Sequence, residues 1–504
     1  MHLLPPRWRL PLGVIGSIGI AAGSLGVGWL GPASVLHSWP LVDTIRNARV
    51  AEVLCALAVV LGALLLLAAW ISLGLSLLRR RGEPAPEATG ATKRVVTAAI
   101  AWTVPLIVAL PLFSRDMYAY VGQGRLMVAG SNPYLTGVAD IPGWYGIGVD
   151  PLWADTSTPY GPLFLWFEKM VVTATSAFPT EIAVLLFRLL AVAGLAMMAY
   201  YAWRIARLRG YNEAAVLWFI AASPLVLMNF VAAGHNDSLM LGFIIAGVYY
   251  AMRHRPILGT VLVAAAIGVK PIALIALPII GLIWAGQHAS WGVVIRRWIA
   301  VAAIGVGSVL VLGWVLGVGA GWIIGLATPT AVSNWYAPAN IIGLTLGGFA
   351  PLVHIDGGIT QAVVKLLFMA AGAAFATWLL VKRRNLDPLL LLFGCFAAIV
   401  LTSATIHPWY GIWLMTLLVL TGIRRAWAVR TIVYPTVFFM LIGLAEPFNL
   451  IMRLENDPLL TVLPRAVAFL GVVGIMIYAE LVTRRQYAFD RPTRIPAPAR
   501  TQYI

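Results

Sequence analysis

Val50 to Leu78 reads VAEVLCALAVVLGALLLLAAWISLGLSLL, with Glu52 its only charge, and Val95 to Phe113 reads VVTAAIAWTVPLIVALPLF with none. Each has the length, about 20 apolar residues, that a helix needs to cross a bilayer core. The rest of the chain is of the same kind: 61% of residues are hydrophobic, 11% are charged and the mean hydropathy is +0.89. Soluble proteins carry about 25% charged residues, so a soluble globular enzyme is excluded. A spanning barrel needs short alternating strands, whereas these runs are continuous; helices remain the way to satisfy the backbone in lipid. The fold class is all-α, a polytopic membrane protein.

The net charge of +16 invites a nucleic-acid reading, but the Lys and Arg residues sit in short clusters between apolar runs, the pattern that marks cytoplasmic loops. No nucleic-acid partner is expected. Cys55 and Cys395 both lie inside apolar runs, where a thiol behaves as a small hydrophobe, so no disulfide framework is indicated. Arg7 and Arg9 precede an apolar stretch from Leu10 to Leu30. That stretch is longer than a signal-peptide core of about 7–15 residues and reads as a retained anchor.

With the basic clusters placed inside, spans fall near 11–31, 50–78, 95–113, 181–203, 212–232, 237–252, 257–269, 271–286, 298–318, 358–381, 386–405, 408–423, 431–447 and 459–481. That is about 14 crossings with both termini cytoplasmic. The pair 257–286 is short, at about 1.5 Å per residue, and is either two short spans or two half-spans meeting at Lys270-Pro271. The organisation is an N-terminal two-helix segment over 1–94, a core over 95–482 and a disordered cytoplasmic tail over 483–504. Two long outer loops, 114–180 and 321–356, are rich in aromatic residues, and long loops in compact proteins are usually functional. Segments 118–129 and 161–178 are expected to lie along the membrane interface as amphipathic helices. The carboxylates concentrate on the outer side, which points to chemistry there.

Asp116 opens the first outer loop directly after a span, in Ser114-Arg115-Asp116-Met117-Tyr118. A carboxylate fixed at the end of a rigid span is well placed as a general base; the plain alternative is an interfacial acid paired with Arg115 or Arg125. Gly122-Gln123-Gly124 lacks the third glycine and the preceding strand of a dinucleotide fingerprint. A Lys at the 270–271 bend is costly inside a membrane and functional by default, with snorkelling as the alternative. Gly234-His235-Asn236-Asp237 is either a polar ligand contact or only a tight turn, and His407-Pro408 is either a phosphate contact or a helix break. Arg465 falls within the last expected span and should face a polar cavity or a carboxylate, whereas Arg188 is better explained by pairing that stabilises helices.

These motifs in combination, Asp116 at the end of a span, Ser131-Asn132-Pro133-Tyr134, Thr158-Pro159-Tyr160-Gly161-Pro162-Leu163, Gly234-His235-Asn236-Asp237, Lys270-Pro271 and His407-Pro408-Trp409-Tyr410, resemble the polyprenol-phosphomannose-dependent α-1,6-mannopyranosyltransferases of actinobacteria. Those are membrane glycosyltransferases of GT-C architecture, and the resemblance runs from about Val95 to Leu481. It implies a polyprenyl-phosphate mannose donor and a lipid-linked mannan acceptor, as in lipomannan and lipoarabinomannan synthesis. It also implies inverting transfer at the outer face of the cell membrane, with Asp116 as the essential acid. The first two spans then stand in front of the core. A leaving phosphate needs cationic partners, for which Arg115, Arg125, Lys270, His407 and Arg465 are the candidates. Sugar hydroxyls need carboxylate, amide and aromatic partners, for which Asn132, Tyr134, Tyr160, His235, Asn236 and Asp237 are the candidates. No metal or other cofactor is called for, since no Asp-x-Asp pair or His/Cys cluster is present. The competing readings are a transporter or flippase of a polyprenyl-linked sugar, and a related enzyme using another polyprenyl-phosphate sugar.

Overall fold

A computed structural model describes residues 5–77, 79–80, 88–326, 333–422, 426–445, 466, 470–474, 477 and 487–488. Apart from a two-residue antiparallel pairing of Arg79–Arg80 with Tyr487–Ala488, the described residues form helices and their connections. Among the described residues, six helices are long and apolar enough to cross a membrane: Pro6–Val27, Arg49–Leu77, Thr180–Arg209, Glu213–Ala232, Trp291–Val315 and Gly357–Lys382. With Ala88–Ile107 and the shorter apolar helices, they cover each expected span through the one placed at 431–447. The expected span 459–481 and the tail lie outside the described residues apart from isolated positions. The bend at Lys270 is present. Proline disfavours helical backbone in the residue before it, and Pro256–Val269 ends there, with Lys270 extended at φ −142 and ψ 115 before the turn Pro271–Ala276.

Two outer-loop segments differ from a surface reading. Helix Asp116–Val128 covers the expected 118–129 segment, but it is buried on nearly every face. Its small residues permit this: a Cβ on Gly124 would stand 2.6 Å from the Glu168 carbonyl oxygen of the 162–174 helix. The loop 321–356 contains a further helix, Pro338–Phe349, packed on Gly357–Lys382. Pro338, Gly347-Gly348 and Pro351 look like turn signals, yet Pro338 occupies the first helical turn, where its missing N–H costs nothing.

The chain divides into two compact units. The first comprises Met1–Thr156, Leu165–Gly242 and Gly422–Arg500. Here the two N-terminal helices meet backbone to backbone, since a Cβ on Gly16 would lie 2.5 Å from the Gly62 carbonyl oxygen, the close approach that small residues allow between membrane helices. Trp70 and Trp218 tie that pair to the broken span Glu213–Ala232: each indole N–H donates to the other residue's carbonyl, at 3.0 and 2.8 Å, and the rings stack 4.6 Å apart. The broken span is almost wholly buried and passes from Glu213–Ile220 through Pro224 into a π-helical turn, Leu227–Ala232. π-helical turns recur at functional sites.

Among the described residues, the second unit comprises Ser157–Phe164 and Phe243–Thr421. Its helices Trp291–Val315 and Gly357–Lys382 expose large apolar side chains such as Ile299, Val311, Trp314, Leu366 and Leu367. In a chain of this composition those faces read as lipid contact.

Candidate active site

In the first unit the site starts with a backbone irregularity. Phe113 has φ 67, a left-handed conformation that costs a residue with a Cβ about 1–2 kcal/mol and that clusters at functional sites. It turns the chain from the preceding span into Ser114, Arg115 and Asp116. The Ser114 hydroxyl donates to Asp116 Oδ1 at 2.9 Å and accepts from the Asp116 N–H at 3.0 Å. Asp116 begins the 116–128 helix, whose N-terminal dipole favours a carboxylate.

The second oxygen, Asp116 Oδ2, lies 3.0 Å from Nδ1 of His235; the imidazole is fully buried, while the carboxylate keeps 18% of its side-chain surface open. The contact is at ion-pair distance. His235 arrives on a tight turn. Gly234 has φ +68, and a Cβ there would stand 2.3 Å from Met117 Sδ, so glycine is the residue that fits. Upstream, Arg188 of the 180–209 helix donates to the carbonyls of Val231, Ala232 and Ile107 at 3.0, 3.1 and 2.9 Å. These carbonyls end the π-helical turn and the 88–107 helix, where partial negative charge accumulates. Arg188 is thus solvated by helix ends and anchors the turn, in keeping with a helix-stabilising role.

Arg115 lies over the Trp29 ring, 3.5 Å from its centroid. Burial lowers its pKa from the usual guanidinium value. Trp29 also accepts at its carbonyl from the Tyr118 hydroxyl at 2.8 Å, and burial pushes that phenol's pKa upward. The residues after the first helix therefore help build the site, a contribution no sequence pattern announced. Asn236 donates its backbone N–H to the Tyr120 hydroxyl at 3.3 Å. Its amide is 2% exposed, and neither the amide nitrogen nor the amide oxygen has a hydrogen-bond partner among the described residues. Asp237 is buried at the start of the next helix.

Other candidates lie elsewhere. Arg125 is nine residues along the same helix, about 14 Å of rise from Asp116, and reaches Thr180 Oγ1 at 3.4 Å. Asn132 accepts the Tyr134 N–H at 3.0 Å, closing a turn that buries Tyr134. Burial, then nearby Glu168, raises the Tyr134 pKa. Glu168 itself is a residue the sequence reading passed over. It is fully buried, neither oxygen has a hydrogen-bond partner among the described residues, and burial holds its pKa well above 4.5. A lone carboxylate in the run Phe164-Leu165-Trp166-Phe167-Glu168 was the available signal.

In the second unit, Gly161 donates its N–H to the Val269 carbonyl at 3.0 Å, laying the Thr158–Pro162 motif against the end of the 256–269 helix. Lys270 Nζ stands 5.7 Å from the ring centroids of both Tyr160 and Trp413, at the outer range of cation–π contact. A cavity of about 260 Å³ is lined by Pro159, Lys270, Thr402, Ser403, Tyr410 and Trp413, with otherwise apolar walls. His407 caps the 408–420 helix and stacks on Trp409, centroids 4.3 Å apart. The motifs thus gather in two groups, Asp116 with 234–237 in one unit and Tyr160 with Lys270 and 407–413 in the other. Arg465 lies outside the described residues.

Comparison with known proteins bears on this arrangement. The family described as "Alpha-(1->6)-mannopyranosyltransferase, N-terminal domain" matches residues 10–286, a stretch that includes Trp29, Asp116, the 234–237 turn and Lys270. A probable alpha-(1->6)-mannopyranosyltransferase of Mycolicibacterium smegmatis is 31% identical over 411 residues, covering 73% of this chain and 70% of the relative. Alpha-(1->6)-mannopyranosyltransferase A of Corynebacterium glutamicum is 31% identical over 71% of this chain and 77% of its own length. The Mycobacterium tuberculosis protein of the same name is 31% identical, with coverage of 80% and 78%. No solved structure matches the chain. A polytopic helical chain with this extent of likeness belongs to the alpha-(1->6)-mannopyranosyltransferase family.

Proposed function

We propose that this protein transfers mannose, with inversion, from polyprenyl-phosphate mannose to a lipid-linked α-1,6-mannan acceptor at the outer face of the cell membrane, with Asp116 as the base. The observation that carries the reading is the Asp116 carboxylate itself, partly open and held at both oxygens, by Ser114 and by His235. In the transfer, the acceptor's 6-hydroxyl attacks C1 of the mannose. The C1–O bond to phosphate breaks and its electron pair leaves with polyprenyl phosphate, while the hydroxyl proton passes to Asp116. A β-linked donor gives an α-linked product.

The other roles follow from local chemistry. Asn236 offers a buried amide whose unmet donors and acceptor each cost about 1–3 kcal/mol; a sugar hydroxyl, which both donates and accepts, suits it. Arg115, on the residue before the base, adds positive charge near the reacting groups. Lys270 at the edge of an apolar cavity suits a phosphate that carries an isoprenoid chain.

The test is donor and linkage specificity. Purified protein is given polyprenyl-phosphomannose, polyprenyl-phosphoarabinose or a nucleotide-linked mannose, each with a short α-1,6-mannoside, and the product is digested with a linkage-specific mannosidase. An α-1,6 product from the first donor alone supports the reading. Transfer from the nucleotide sugar refutes the lipid-donor assignment, and crossing of intact labelled lipid through a reconstituted bilayer without transfer refutes the enzyme.

A further inference from the structure

We propose that His235 is a positioning residue for the base, holding the Asp116 carboxylate in one orientation and favouring its ionised form until the acceptor hydroxyl yields its proton. This rests on the reading of Asp116 as the base and gives His235 a role distinct from sugar contact. The imidazole has no open surface, and one of its two ring nitrogens is turned to the carboxylate. Its Nδ1 faces a carboxylate oxygen at 3.0 Å, and a lone pair facing another at that distance is repulsive, so the proton sits on Nδ1.

The backbone around the ring is anchored at several points, which is what positioning needs. The His235 N–H donates to the Asn229 carbonyl at 3.2 Å, and the Asn236 N–H reaches the Tyr120 hydroxyl. Arg188 fastens the carbonyls of residues 231 and 232, and Gly234 lets the chain turn tightly over Met117. With Ser114 on Oδ1 and His235 on Oδ2, rotation of the carboxylate is restrained from both sides.

Titratable and charged groups lie on the segments that carry and anchor the pair. Arg115, Tyr118 and Tyr120 come from Asp116's own segment, Arg188 from the 180–209 helix and Asp237 from the same turn as His235. Tyr145 and Asp150 act on Arg115 from the following loop. An N–H donor within 3.0 Å of a carboxylate oxygen stabilises the charged form, so deleting it moves the acid limb of the rate profile towards higher pH.

The experiment measures kcat and KM for transfer from polyprenyl-phosphomannose to a short α-1,6-mannoside, from pH 5 to 9. It uses full-length wild type, Asp116→Asn, His235→Ala, His235→Asn and His235→Gln. The Asn amide nitrogen can replace Nδ1, whereas the Gln amide reaches towards the Nε2 position. We expect His235→Ala to lower kcat about 10–100-fold, move the acid limb up by about one pH unit and leave donor KM within about twofold. His235→Asn should recover most of the rate and His235→Gln should not. If His235→Ala fails to fold, the Asn and Gln variants decide: equal rates and equal acid limbs overturn the proposal. An unshifted acid limb in a folded His235→Ala also overturns it. Undiminished turnover in Asp116→Asn instead overturns the base assignment on which the proposal rests, a distinguishable failure.

Discussion

Gly234→Ala is the smallest change that should undo the site, and its magnitude can be worked from the backbone. At φ +68 a residue with a Cβ costs about 1–2 kcal/mol. The new methyl would also stand 2.3, 2.9 and 3.1 Å from Sδ, Cγ and Cε of Met117, a side chain with no exposed surface. Overpacking of that kind costs about 1–3 kcal/mol, so the total is about 2–5 kcal/mol. All three clashing atoms belong to one flexible side chain, and the shortest path to relief moves Met117 and the 234–237 turn apart, taking His235 away from Asp116. Unfolding midpoints in detergent and transfer rates would be measured for Gly234→Ala, Met117→Ala and the double variant. Met117→Ala alone leaves a cavity and destabilises, but the pair should show a favourable coupling of about 1–3 kcal/mol, the part due to the clash. A Gly234→Ala protein with wild-type midpoint and turnover would refute the close-approach reasoning.

Glu168→Gln should flatten the pH dependence of stability. A carboxyl with a folded pKa above 4.5 retains a proton that the unfolded chain releases, so stability present below pH 4.5 is lost as pH rises towards the folded value, by up to about 1.4 kcal/mol per unit. Midpoints for variant and wild type should agree near pH 4.5 and diverge in the variant's favour by pH 8; parallel curves would contradict this. Arg188→Met strips two buried carbonyls and a part-buried one of their donor and should cost about 3–5 kcal/mol, read from denaturant midpoints. Lys270→Met removes the cation at the second unit's cavity and should raise the KM for polyprenyl-phosphomannose at least tenfold. Unchanged donor KM and kcat would exclude phosphate contact.

The fold was largely legible because bilayer-length apolar runs leave helices as the backbone's solution, and basic clusters and prolines punctuate them, as at Lys270-Pro271. The 338–349 helix was missed because glycine and proline pairs there mark helix starts and close packing as readily as turns. The aromatic residues of segment 118–129 read as an amphipathic helix along the membrane interface, whereas Gly124 lets the backbone of helix 116–128 pack against the 162–174 helix. At the site, Asp116 was legible from its place after a span. The burial of His235 and Asn236 and the Trp29 platform beneath Arg115 were not, because they depend on which segments meet, and those pairs are far apart in sequence; Glu168 left a signal, a lone carboxylate in an apolar run.

The most direct test of the central claim compares wild type with Asp116→Asn, using purified protein, radiolabelled polyprenyl-phosphomannose and a short α-1,6-mannoside. We expect wild type to transfer mannose and the variant, folded and still binding donor, to lose about 10²–10⁴-fold in rate, the range that a general base contributes. Transfer by Asp116→Asn at the wild-type rate would contradict it.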